Sequence, residues 1–238
     1  MSQAPMIGQP LEKAQRDDAR MRDRKTLLAT VVFCRHGETD YDPDRFYEAG
    51  AGPELNAAGA EQAEKLALWL SERGLRPDGL YASPSTRTLQ TAAPIARAFG
   101  RAVIPLETWV ERSMGQWNGC SVHDVRQEDP VGWQAWKRDP VGFLPPDGES
   151  SAAFGRRIEG AVSDALARHP GGVLVIMTHV GPIRAVLSAA LQCPPESAKR
   201  FVIDPGSATR IEYTPSWPNV VFMNMHAQLF TRRGPKPR

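Results

Sequence analysis

The chain has 238 residues, 41% hydrophobic and 24% charged; that suffices to bury one substantial core and excludes a disordered or fibrous protein. Its net charge of +2 is uneven: residues 1–25 and 232–238 together carry +6 and leave −4 on the body, so the basic balance belongs to the ends and argues for no nucleic-acid partner. No apolar stretch approaches the ~20 residues of a membrane span, and Cys34, Cys120 and Cys193 are odd in number and widely spaced, which suits reduced thiols better than disulfides or zinc.

In chain order, residues 1–25 form a polar extension with no core pattern beyond a short helix over Leu11–Arg24. The apolar run Leu27–Cys34 follows a basic segment as a leader would. It is short, lies too far in and leads to Arg35-His36-Gly37-Glu38 rather than a cleavage site, so it reads as a buried strand. Asn56 caps a predicted helix over Ala57–Glu72, with Leu66, Trp69 and Leu70 at helical spacing and Gly74 as its stop. A strand ends near Tyr81-Ala82, a second helix runs from Arg87 to Phe99, and Ala102–Leu106 reads as a short strand. Gly115–Gly148, rich in Trp, Pro and Gly, is expected to be a lid; Trp117, Trp133, Trp136 and Phe143 either wall a pocket or pack the loop against the body, packing being the stronger reading for Trp133 and Trp136. Ser150–Arg168 carries Phe154, Ile158, Val162 and Leu166 on one stripe; Gly172–Met177 is an apolar strand; Pro182–Leu191 is a fourth helix. Phe201–Met225 reads as strands joined by turns at Asp204-Pro205-Gly206 and Thr214-Pro215. This alternation predicts an α/β protein, a three-layer α/β/α sandwich with a mostly parallel central sheet, in one domain over residues 26–230 followed by a basic tail over 231–238.

Chemistry concentrates at strand ends. Val31–Cys34 stops on Arg35-His36-Gly37, and Gly172–Met177 stops on Thr178-His179-Val180-Gly181. In a parallel sheet both imidazoles then overhang one crevice at the carboxyl edge, where such sheets bind ligands. Between them Ser83-Pro84-Ser85-Thr86-Arg87 turns a strand into a helix with an arginine in its first turn, beside free N–H groups and a positive dipole end. A neutral imidazole is a nucleophile near neutral pH and guanidinium binds phosphoryl oxygens bidentately. Phosphoryl transfer needs an in-line nucleophile, cations around the equatorial oxygens and a proton for the leaving alkoxide.

In these motifs the chain resembles the histidine phosphatase superfamily, which includes the cofactor-dependent phosphoglycerate mutases, from about Val31 to about Asn224. The resemblance implies that His36 becomes phosphorylated, that Arg35, Arg87 and His179 hold the phosphoryl oxygens, and that Glu111 in Trp109-Val110-Glu111-Arg112 donates the proton. Gly115–Gly119, Gly148-Glu149-Ser150, Phe154 and Arg157 also sit where the family places similar segments. Two positions depart from it. Asp42 stands where many members have asparagine, and its carboxylate tolerates a phosphate only if protonated or paired with Arg45; Val180 replaces a common glycine.

Competing motifs fit less well. Cys120–Arg126 has the Cys-x5-Arg spacing of cysteine phosphatases but no internal glycine to shape an anion nest. Asp40, Asp42 and Asp44 alternate like a calcium loop, yet Arg45 replaces its glycine and Ala51 its glutamate, and the histidines offer no closely spaced metal pair. The expectation is a cytoplasmic, metal-independent phosphomonoesterase acting on small-molecule phosphate esters, without cofactor, membrane or nucleic-acid partner, a homodimer being left open. A phosphoglycerate-type mutase is the first alternative, although only 67 residues separate Glu111 from His179, a short interval for that class. A weakly catalytic phospholigand-binding protein is the second.

Overall fold

A computed structural model describes residues 27–40, 44–46 and 52–226. The expected extension over 1–25, the tail over 231–238 and Asp42 lie outside the described residues. Six strands form one sheet: β1 (Ala29–Arg35), β2 (Gly79–Ala82), β3 (Val103–Pro105), β4 (Gly172–Thr178), β5 (Ala208–Tyr213) and β6 (Pro218–Met225), in the order β3-β2-β4-β1-β5-β6. The first four in that order run parallel, while β5 and β6 are antiparallel additions at one side.

The helices are α1 (Ala57–Glu72), α2 (Thr86–Phe99), α3 (Val122–Glu128), α4 (Pro130–Arg138), α5 (Ser151–Arg168) and α6 (Val180–Ala190). From β1 through α1, β2 and α2 the chain steps outward to the β3 edge. It then returns through α5 to insert β4 between β2 and β1. Right-handed crossovers in opposite directions put α1 and α2 on one face and α5 on the other, where α6 packs beside it. β1 shows both layers: Val31 and Phe33 pack with Ile158, Ile183 and Leu187, whereas Val32 and Cys34 pack with Leu66, Leu70 and Ile95. Period-2 alternation between two apolar layers is why the strand reads as an unbroken hydrophobic run. The three-layer sandwich is the expected one.

Local signals set the helix ends. Asn56 accepts a hydrogen bond from Gly59 N at 2.8 Å to open α1, and Gly74 at φ +68° closes the turn beyond it. Gly37 and Gly59 face each other so closely that a Cβ on Gly59 would stand 2.1 Å from Glu38 O, which lets α1 press against the loop after β1. α6 starts two residues before the expected Pro182, with His179 as its N-cap.

Two expectations change. Within 115–148, α3 opens on a capping box between Ser121 and Asp124, and α4 opens on Asp129 with Pro130 at its first position. Trp117 and Trp133 are buried with Phe46 and Val125 in a small core of their own, flanked by Trp136 and Phe143. The aromatics pack against each other, Trp117 stacking on Phe143 with centroids 4.9 Å apart, so packing, the stronger reading for Trp133 and Trp136, extends to Trp117 and Phe143 as well. At the C-terminal end the turn at 204–206 feeds into β5 instead of joining two strands; the hairpin lies between Tyr213 and Pro218. Among the described residues no helix is long and apolar enough to cross a membrane.

Candidate active site

The register Arg35↔Thr178 between β1 and β4 sets the next residues, His36 and His179, side by side. Their rings lie 5.2 Å apart at 66°. His36 N donates to Thr178 O at 3.0 Å, and Gly37 N to Thr91 Oγ1 of α2 at 3.0 Å, fixing the loop that carries the first imidazole. Arg87, in the first turn of α2, is buried and lies between the rings: its Nε donates to His36 Nε2 at 3.3 Å and its Nη2 approaches His179 Nδ1 at 3.2 Å.

These contacts assign the protons. Guanidinium is donor-only, so His36 Nε2 and His179 Nδ1 are lone-pair nitrogens. His36 Nδ1 carries its proton and gives it to Gly37 O at 2.8 Å; His179 Nε2 donates to Ser83 Oγ at 2.9 Å. Burial, together with the charges of Arg87 and Arg35, pushes His36 down to about 3. Burial, the neighbouring His36 and the same arginines hold His179 well below its ordinary value. Both rings are neutral at pH 7, and His36 Nε2 is a nucleophilic nitrogen beside cationic charge.

Arg35 is half-buried and anchored through Nη1 to Ile203 O at 2.6 Å. Glu111 is 7% exposed and seated on the start of α6: Oε2 accepts from Gly181 N and Oε1 from Arg112 N, both at 2.8 Å. That seat requires a glycine, because a Cβ at Gly181 would meet Glu111 Oε1 at 1.9 Å. Thr178 Oγ1 donates to Trp109 O at 2.6 Å, tying the Glu111 segment to the end of β4. Arg157 of α5 clamps the same segment, with Nη1 on the carbonyls of Thr108 and Val110 while Nε and Nη2 grip Glu149 at 2.9 and 2.7 Å.

The structure thus brings together His36, Arg87 and His179, with Arg35 and Glu111 on the adjoining strand end and helix start. Arg45 is exposed and donates Nη1 to Gly119 O at 2.7 Å. Sequence reasoning assigned no role to Ser83, Thr91, Thr178 and Gly181. Their signal was a polar or small residue beside an apolar strand end or in a first helical turn. The Cys120–Arg126 segment is spent on the capping box of α3 and forms no anion cradle. Among the described residues no group of three or more His, Cys, Asp or Glu is placed to hold a metal ion.

Comparison with known proteins bears on this geometry. The chain is 32% identical over 164 residues to phosphoserine phosphatase 1 of Hydrogenobacter thermophilus, 69% of this chain and 77% of that protein. It is 27% identical over 176 residues to phosphoglycerate mutase-like protein 4 of Arabidopsis thaliana, 73% and 76% of the two chains. Mycobacterial relatives at 28% identity are spanned over only 50% of their length. The crystal structure of the alpha-ribazole phosphatase from Shigella flexneri superposes with a TM-score of 0.75 at 26% identity, covering 82% of this chain and 96% of that one. A family model, the histidine phosphatase superfamily (branch 1), matches residues 31–226, and the chain belongs to that family.

Proposed function

We propose that the protein hydrolyses small organic phosphate monoesters through a phosphohistidine on His36, without a metal ion. The coarser statement, a phosphoric monoester hydrolase of the histidine phosphatase superfamily, follows from the family match and from relatives named as phosphatases. The finer reading rests on one observation: a buried, neutral His36 whose lone-pair nitrogen faces the guanidinium of Arg87.

In this reading a phosphoryl group enters between Arg87, Arg35 and His179, taking over the Arg87 N–H now directed at His36. Nε2 attacks phosphorus as the P–O bond to the alcohol breaks, and Glu111 passes a proton to the leaving oxygen. Water then attacks phosphorus, the P–N bond breaks, orthophosphate leaves and the water proton returns to Glu111. The guanidiniums supply the charge stabilisation. Catalysis in the cytoplasm accords with Cys34, Cys120 and Cys193 all being unpaired. Phosphoserine is a first substrate to try, given the relative named for it.

The deciding experiment uses metal-stripped protein and its His36→Ala variant with p-nitrophenyl phosphate, followed by acid quench and intact-mass measurement. Chelator-resistant turnover and a phosphorylated protein, both absent in the variant, are expected; undiminished turnover in the variant removes His36 as nucleophile. The mutase reading, kept for the mutase-like relative, requires instead that a bisphosphate prime His36 and stimulate transfer within one substrate.

A further inference from the structure

Between α5 and α6 lies a cavity of about 660 Å³, a size suited to a drug-like small molecule. Phe154, Ala152, Ala185 and Ala189 give it apolar walls, and Pro140-Val141 closes one side. Its charged groups are unbalanced: Arg112, Arg156, Arg184 and Lys199 face Glu111 and Glu159. Both oxygens of Glu111 are already engaged by backbone N–H groups, so the excess is cationic.

The cations are partly committed elsewhere. Arg184 Nε donates to Phe201 O at 2.9 Å, Arg112 Nε and Nη2 donate to the carbonyls of Glu149 and Phe143, and Lys199 lies over the Trp136 ring. What remains suits one anionic group on an apolar body better than a polyphosphate. The cavity shares Glu111 with the candidate active site, yet neither imidazole nor Arg87 lines it.

We propose that this cavity is a second binding site, separate from the phosphoryl site, for a small organic acid whose apolar body rests on Phe154 and Ala185 while its acid group meets Arg156 and Arg184. The test titrates the full chain with anilinonaphthalene sulfonate, whose fluorescence rises in apolar surroundings, and with its uncharged parent, phenylnaphthylamine. One saturable site is expected, with the sulfonate bound at least about tenfold more tightly than the neutral dye. Ala185→Trp should set an indole on the wall where the apolar body would rest and abolish binding. Arg156→Glu should weaken it about tenfold at unchanged Tm, because Arg156 is exposed and its replacement leaves packing intact. Saturating inorganic phosphate and His36→Ala should leave the dye bound. Equal affinity for both dyes, unchanged binding in both variants, or displacement by phosphate would each overturn the proposal; if Ala185→Trp fails to fold, Arg156→Glu and the dye pair still decide it.

Discussion

As the proposed nucleophile His36 needs an uncharged ring, and burial beside Arg87 and Arg35 keeps it so down to about pH 3. Phosphoenzyme formation should therefore lose nothing to protonation of His36 between about pH 7 and pH 5, a range over which an unperturbed imidazole would pass from mostly neutral to mostly cationic; rapid-quench measurement across that range checks this. The same shift has a stability consequence of fixed sign. The unfolded chain binds a proton at His36 near 6.5 and the folded chain does not until about 3, so the stability it contributes is complete above 6.5 and is lost as pH falls through that window. Tm should fall with acidification more steeply in the wild type than in His36→Ala. Gly181 offers a second test. Alanine there would ordinarily favour helix, by up to about 1 kcal/mol, but its Cβ would strike Glu111 Oε1 at 1.9 Å. Gly181→Ala should cost about tenfold to a hundredfold in kcat through a misplaced acid while circular dichroism shows the fold retained.

The segment 107–111 holds Glu111 without a long element of its own, consisting of a single turn of 3-10 helix and an extended stretch. Its position comes from neighbours: Thr178 at the end of β4, Gly181 at the start of α6 and Arg157 on α5. Arg157 spends three donor nitrogens on this task, reaching a bidentate carboxylate and two carbonyls at once. A lysine has one nitrogen and cannot match that fork. Arg157→Lys is expected to lower kcat about tenfold with KM changed by no more than about twofold, measured by steady-state kinetics on p-nitrophenyl phosphate. An equal loss in KM would place Arg157 in substrate binding instead.

Taken together, the described residues form two large core clusters on opposite faces of one sheet and a third, smaller one around Trp117 and Trp133. The third lies outside the sheet layers and is built from short helices, so it should open on its own. Trp117→Ala removes a side chain that is 3% exposed, a change costing about 3–5 kcal/mol in a packed core. Faster proteolytic cleavage within residues 115–148, with the sheet and its flanking helices retained by circular dichroism, is the expected result; global unfolding on the same timescale would show that the cluster is part of the main core.

The main strands, the long helices and His36, Arg87 and His179 as candidate site residues were legible along the chain, because period-2 and period-3.6 burial leave local traces and because reactive residues stand out where an apolar run stops. Sequence reasoning missed α3 and α4, helices of 7 and 9 residues held by caps and by tryptophan packing rather than by a long stripe. Long-range packing is what sets β4 between β2 and β1, lets Arg87 bridge the two imidazoles and so set their tautomers, and seats Glu111 on the start of α6. Those facts depend on partners such as Ser83 and His179, 96 residues apart, or Glu111 and Gly181, 70 apart. No local pattern encodes such meetings, since they arise when the whole sheet and its helices pack.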